Sequence, residues 1–141
     1  MRHVWSILCT KASVDELTKN ISLFDTIEEV QLQRLPGAPP GEPAAVSVQW
    51  DLVTLWMRSA RDTPERFRQR VSLRAPSGRI LLGPETSEVL LLDAVMRARA
   101  ILRLVGLAID GPGEHCFVIE YEAEPARWQT AAELPLFVTI L

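Results

Sequence analysis

Residues 67–74 alternate with a period of two: Phe67, Gln69, Val71 and Leu73 fall on one side, and Arg68, Arg70, Ser72 and Arg74 on the other. Eight residues in that pattern describe a β-strand with one face against a core and the other in water. The same alternation recurs along most of the chain, and it constrains the fold more than any motif does.

Residues 2–12 read as a first strand, apolar enough on both faces to lie centrally in a sheet. Thr18-Lys19-Asn20 signals a turn, with one helical turn at Ser13–Leu17 as the competing reading. Residues 21–34 read as a second strand, in which Ile21, Leu23 and Asp25 oppose Ser22, Phe24 and Thr26. Its pattern resumes at Val30, Leu32 and Arg34. Val46, Val48, Trp50 and Leu52 alternate, and the apolar phase then moves to Val53, Leu55 and Met57. That shift predicts a bulge near Leu52–Val53, which would send Trp50 and Trp56 to opposite faces. A helix from Asp51 competes, since Leu52, Leu55, Trp56 and Ser59 share a helical face. Arg58–Pro64 reads as a polar loop. After the arginine strand, Ala75-Pro76-Ser77-Gly78 makes a tight turn into Arg79–Leu82.

Glu85–Val105 has a helix-favouring composition, with Thr86 or Ser87 as a cap. Arg97, Arg99 and Arg103, however, fall opposite Met96, Ala98, Ala100, Leu102 and Leu104. The spacing predicts a strand over 95–105 and leaves 86–92 open. Asp110-Gly111-Pro112-Gly113 turns into a strand where Phe117, Ile119, Tyr121 and Ala123 alternate with Cys116, Val118, Glu120 and Glu122. Beyond a loop at Pro125–Arg127, Leu134, Leu136, Val138 and Ile140 form an inward stripe. The expectation is one all-β domain over 1–141, an antiparallel β-sandwich of seven or eight strands. A short helix has room near 13–18 or 86–93. Residues 35–43, with four prolines and two glycines, form a surface loop.

Size and composition agree with a self-sufficient core. At 141 residues, folding buries roughly 68–70% of the extended chain's surface. The formal charge of −3 gives no general attraction to nucleic acid or acidic membranes. Of the 15 basic residues, all but Lys11 and Lys19 are arginine, the better partner for carboxylates and aromatic faces. No apolar run reaches the ~18–20 residues that span a bilayer. Val4–Cys9 is too short for a signal core, so the chain reads as cytoplasmic.

The segments Trp5-Ser6-Ile7-Leu8-Cys9 and Asn20-Ile21-Ser22-Leu23-Phe24-Asp25 resemble those of a family of small uncharacterised bacterial proteins. So do Gly106, the Gly-Pro-Gly turn, Phe117-Val118-Ile119-Glu120-Tyr121, Trp128 and Ala132-Glu133-Leu134-Pro135-Leu136. The resemblance implies a bacterial β-sandwich, immunoglobulin-like or C2-like in topology, and it brings no activity with it.

Residues able to do chemistry are few. Cys9, Cys116, His3 and His115 are the nucleophile and imidazole candidates, and a Cys/His-dependent hydrolase would need a thiol and a base in contact. The favoured reading makes both cysteines small buried thiols. A Cys9–Cys116 bridge needs their strands to be neighbours. Asp110, Glu114 and His115 surround the Gly-Pro-Gly turn, but calcium needs more oxygens than these supply, and no metal or cofactor is expected. Arg68, Arg70, Arg74, Arg97, Arg99 and Arg103 all occupy outward positions. In one sheet they would form a cationic face for phosphate, an acidic protein or a nucleic-acid backbone. Cross-strand Glu88, Asp93, Glu120 and Glu122 would instead neutralise them. No aromatic residue interleaves these arginines in sequence, which disfavours nucleic acid. At least three of Trp5, Trp50, Trp56 and Trp128 are expected in the core. The functional expectation is a non-enzymatic binding or scaffolding module with a protein partner or a second copy of itself. Anion or phospholigand binding on the arginine face is the alternative.

Overall fold

The computed structural model describes residues 1–33, 41–60, 63–91 and 96–141. Among them the chain forms nine strands and no helix. These are β1 (Arg2–Val14), β2 (Ile21–Thr26), β3 (Glu29–Leu32), β4 (Ala44–Met57), β5 (Glu65–Arg74), β6 (Ile80–Leu91), β7 (Arg97–Ile109), β8 (Gly113–Glu124) and β9 (Arg127–Ile140). They build a four-stranded sheet in the order β2-β1-β4-β7 and a five-stranded sheet in the order β3-β9-β8-β5-β6.

The two sheets close over one core. Leu8, Leu52, Trp56, Leu104, Leu107 and Ile109 come from the first, and Phe67, Val71, Leu73, Phe117, Ile119, Leu136 and Val138 from the second. The all-β sandwich read from the sequence is therefore present. β4 and β7 lie together in one sheet and β9-β8-β5 in the other, which is how an immunoglobulin sandwich divides its B, E and G, F, C strands. β3 runs parallel to β9, whereas the alternation alone predicts antiparallel neighbours throughout.

The arginine strand folds as its alternation demands, except that Ser72, on the wet side of the pattern, is also buried. Phe67, Gln69, Val71 and Leu73 are buried, while Arg68 stays exposed and Arg70 half-buried. Residues 97–105 are likewise strand, not helix, because their even positions Ala98, Ala100, Leu102 and Leu104 pack on the core. Neither helix site holds one. Ser13–Val14 end β1, and Asp15 closes the following turn by accepting the Leu17 and Thr18 amides. β6 carries 86–91, while 92–93 fall outside the described residues. Most of the 35–43 loop also lies outside them; 41–43 are not strand.

Two sequence expectations need correction. Residues 21–34 are not one strand: β2 belongs to the first sheet and β3 to the second, and Arg34 lies outside the described residues. Asp25, at φ 46°, kinks the chain out of β2, and the Ile27 and Glu28 backbone bonds to Leu8 and Phe137 mark its crossing between sheets. The bulge near Leu52–Val53 is also absent. β4 runs regularly there and shifts register earlier, between Val46 and Gln49, opposite Gly106 at φ 78°. Trp50 and Trp56 thus share the inner face. Apolar residues occupy both faces of β4 because it lies centrally, flanked by β1 and β7.

The outer face of β4 is covered in a way the sequence does not announce. Cys9, Asp51 and Arg103 are register partners on it, as are Ile7, Val53 and Ile101. The Ala12 amide donates to Asp51 Oδ2 at 2.8 Å, and Arg99 Nη1 donates to the Lys19 carbonyl at 2.9 Å. For Lys19 to reach β7, the β1–β2 hairpin must fold across the outer side of the sheet. Cys9, Asp51 and Val53 are buried beneath it.

Candidate functional site

The thiols and imidazoles do not assemble. Cys9 and Cys116 are both unpaired, and β1 and β8 lie in different sheets, so the condition for a bridge is not met. Burial, then the Asp51 carboxylate, pushes the Cys9 thiol up; burial, then Glu133, does the same to Cys116. Nucleophilic sulfur is thiolate, and these surroundings disfavour it. His115 is fully buried, with Nε2 accepting the Asp110 amide at 3.1 Å and Nδ1 lying 3.3 Å from the Gly113 carbonyl. Both ring nitrogens are spent stapling the Asp110–Gly113 turn. Among the described residues no three His, Cys, Asp or Glu side chains are grouped to hold a metal.

His3 has a hydroxyl partner that the sequence reading missed. Its Nε2 lies 2.9 Å from Ser6 Oγ, and the Ser6 hydroxyl donates to Thr54 Oγ1 at 3.1 Å. Burial lowers the His3 pKa. The chain ends on Thr54, which is 1% exposed, and the His3 ring stands edge-on to Trp56 at 5.4 Å. A nucleophilic serine needs an open approach and an oriented base. Here the hydroxyls satisfy each other inside the fold.

The six arginines do not form one face. Arg68, Arg70 and Arg74 stand on β5 in the five-stranded sheet, and Arg97, Arg99 and Arg103 on β7 in the four-stranded one. On the β5 side the expected neutralisation is present for Arg68 and Arg70 but not for Arg74, which has no carboxylate partner among the described residues. Arg68 makes two 2.6 Å bonds to Glu122, Arg70 bonds Glu120 at 2.7 and 3.2 Å, and Arg66 lies 3.1 Å from Glu88. Trp128 lies beneath them, 4.4 Å from the Arg70 guanidinium and 5.6 Å from that of Arg68. An aromatic thus does interleave the arginines, brought from β9 by register with Glu122. Trp50 and Trp56 pack in the core, whereas Trp5, paired with Leu55, and Trp128 lie on outer faces, so two of the four are interior rather than three.

On the other sheet, two clefts border the folded-over hairpin. One, about 280 Å³, is lined by Thr10, Lys11, Gln49, Asp51 and Arg103. Burial raises the Asp51 pKa, but the Ala12 amide and Arg103, 3.2 Å away, outweigh it and hold the carboxyl below its ordinary value. This cleft is internally paired. The second, about 430 Å³, is lined by Val14, Lys19, Arg97, Arg99 and Ile101. Among the described residues no carboxylate pairs with any of its three cations. Arg99 Nε is shielded from water and has no hydrogen-bond partner. Burial, then the like charge of Arg97, lowers the Arg99 pKa. An anion entering there would meet the charges of Lys19, Arg97 and Arg99 and relieve their repulsion.

Sequence reasoning found Arg97 and Arg99 but missed Lys19 and Val14, which only the folded-over hairpin brings to β7. No family model matches the chain, and no curated protein matches it.

Proposed function

We propose that the chain is a non-enzymatic binding module that captures an anionic group in the cleft of Val14, Lys19, Arg97, Arg99 and Ile101. The observation carrying this reading is the concentration of unpaired positive charge there. Arg66, Arg68, Arg70, Arg103 and Arg127 each have a carboxylate within 3.2 Å; Arg97, Arg99 and Lys19 have none among the described residues, nor have Arg2, Lys11, Arg74 and Arg79, but only the first three line one cleft together. Val14 and Ile101 add apolar walls, which keep the local dielectric low and strengthen ion pairing.

A binder is also the better reading of the rest of the molecule. The thiols are held protonated and the imidazoles are engaged with the fold. The two unpaired cysteines support a reducing, cytoplasmic setting. Membership of the bacterial family resembled by the Leu8-Cys9 and Leu23-Phe24-Asp25 strands belongs to the same proposal. No helix among the described residues is long and apolar enough to cross a membrane.

Thermal unfolding with inorganic phosphate or pyrophosphate at low ionic strength tests the reading. The wild-type Tm should rise and the rise should fade with added salt. R97Q/R99Q should abolish it, and R127Q, which removes an exposed charge elsewhere, should not. A wild-type Tm indifferent to both anions, or an equal rise in R97Q/R99Q, would overturn the proposal.

A further inference from the structure

We infer that the anion recognised at this cleft is an acidic side chain of an extended polypeptide that adds as a further strand to the free edge of β7. The inference rests on the anion-capture reading and names its ligand class.

β7 ends the order of its sheet, with β4 as its one ladder partner among the described residues; β6 of the other sheet packs close to it without pairing, so the outer edge carries no ladder bonds. It is 13 residues long, so alternate backbone N–H and C=O groups along that length face away from β4. Such a row is a template for strand addition. Its outward side chains follow the strand period: Arg97, Arg99, Ile101, Arg103 and Val105. Ile101 is 44% and Val105 72% exposed. Arg103 touches Asp51 yet leaves most of its guanidinium in water. An antiparallel guest would meet this face with every second residue, in the order apolar, acidic, apolar, acidic, acidic.

Charge selects the occupant. A second β7 added antiparallel about Ile101 would set Arg99 against Arg103 of the other copy, and like charges directly opposite are unfavourable. An acidic strand from another protein meets the same row with opposite charges. The unpaired Arg97 and Arg99 then gain carboxylates, and Ile101 and Val105 gain cover.

The peptide Val-Thr-Glu-Thr-Leu-Ser-Glu-Ser-Glu is the direct probe, measured by calorimetry on the full chain beside pyrophosphate. Binding is expected to weaken about tenfold in R97Q/R99Q, and by a similar factor when the guest amides facing β7 are N-methylated. Equal binding of the N-methylated peptide would overturn strand addition and leave anion capture standing. Pyrophosphate binding without peptide binding would do the same. If neither binds, both readings fall. Sedimentation showing a dimer, with β7 amides protected from exchange in it, would assign the edge to a second copy and overturn the inference.

Discussion

The indole Nε1 of Trp56 donates a 2.7 Å hydrogen bond to Gln69 Oε1, joining β4 of one sheet to β5 of the other inside the core. Gln69 is 2% and Trp56 1% exposed, so neither has water as a substitute partner. Phe67 and Tyr121 stand edge-on to the same indole at 4.8 and 5.9 Å. Replacing Gln69 by Leu keeps the volume but orphans the indole N–H, at a cost of about 1–3 kcal/mol. In a double-mutant cycle by urea unfolding, Q69L and W56F should couple by at least ~1 kcal/mol. Strict additivity would mean that the bond contributes nothing.

Asp51 fastens the β1–β2 hairpin to the sheet through the Ala12 amide and Arg103. D51N keeps the shape and removes the charge, and is expected to cost about 1–2 kcal/mol. Hydrogen exchange should quicken at Ala12 and through the hairpin, with β8 and β9 unaffected. Unchanged Ala12 protection would show that the carboxylate is not the fastener.

Glu122 is held at about 2 by the Arg68 guanidinium, with help from the Ala126 amide. The folded value lies below the ordinary 4.5, so the stabilisation is complete above that pH and drains away as pH falls toward about 2. An NMR titration of the Glu122 carboxyl should give a midpoint near the lower value, moving up toward 4.5 in R68Q. The acid limb of the stability curve should be shallower in E122Q than in wild type.

Gly83 sits where β6 is irregular against β5, at φ 79°, and a Cβ there would meet the Val71 carbonyl at 2.5 Å and the Glu85 amide at 2.7 Å. Neither backbone atom can swing away. G83A should lose at least ~2 kcal/mol by urea unfolding, while G78A, which meets nothing within 4 Å and carries only the φ strain, should lose less.

The strands were legible because each carries its own period. Phe67, Gln69, Val71 and Leu73 declare an inner face without reference to any other segment, and Ala98 to Leu104 do so strongly enough to override a helical composition. What the sequence hid was long-range pairing. Whether Arg68 and Arg99 share a face depends on which sheet receives β5 and which β7, and alternation within a strand is silent on that. Trp128 reaches Arg70 only through the β9–β8–β5 register. Lys19 reaches Arg99 only because the hairpin folds back over β4. The apolar outer face of β4 reads as a phase shift because the cover that permits it comes from residues 12–19, far upstream of β4 in the chain.

The most direct test is a two-dimensional amide NMR titration of the chain with pyrophosphate at low ionic strength. Shifts centred on Lys19, Arg97, Arg99 and Ile101 are the predicted result. Shifts centred instead on Arg68, Arg70 and Trp128, or no shifts at all, would contradict it.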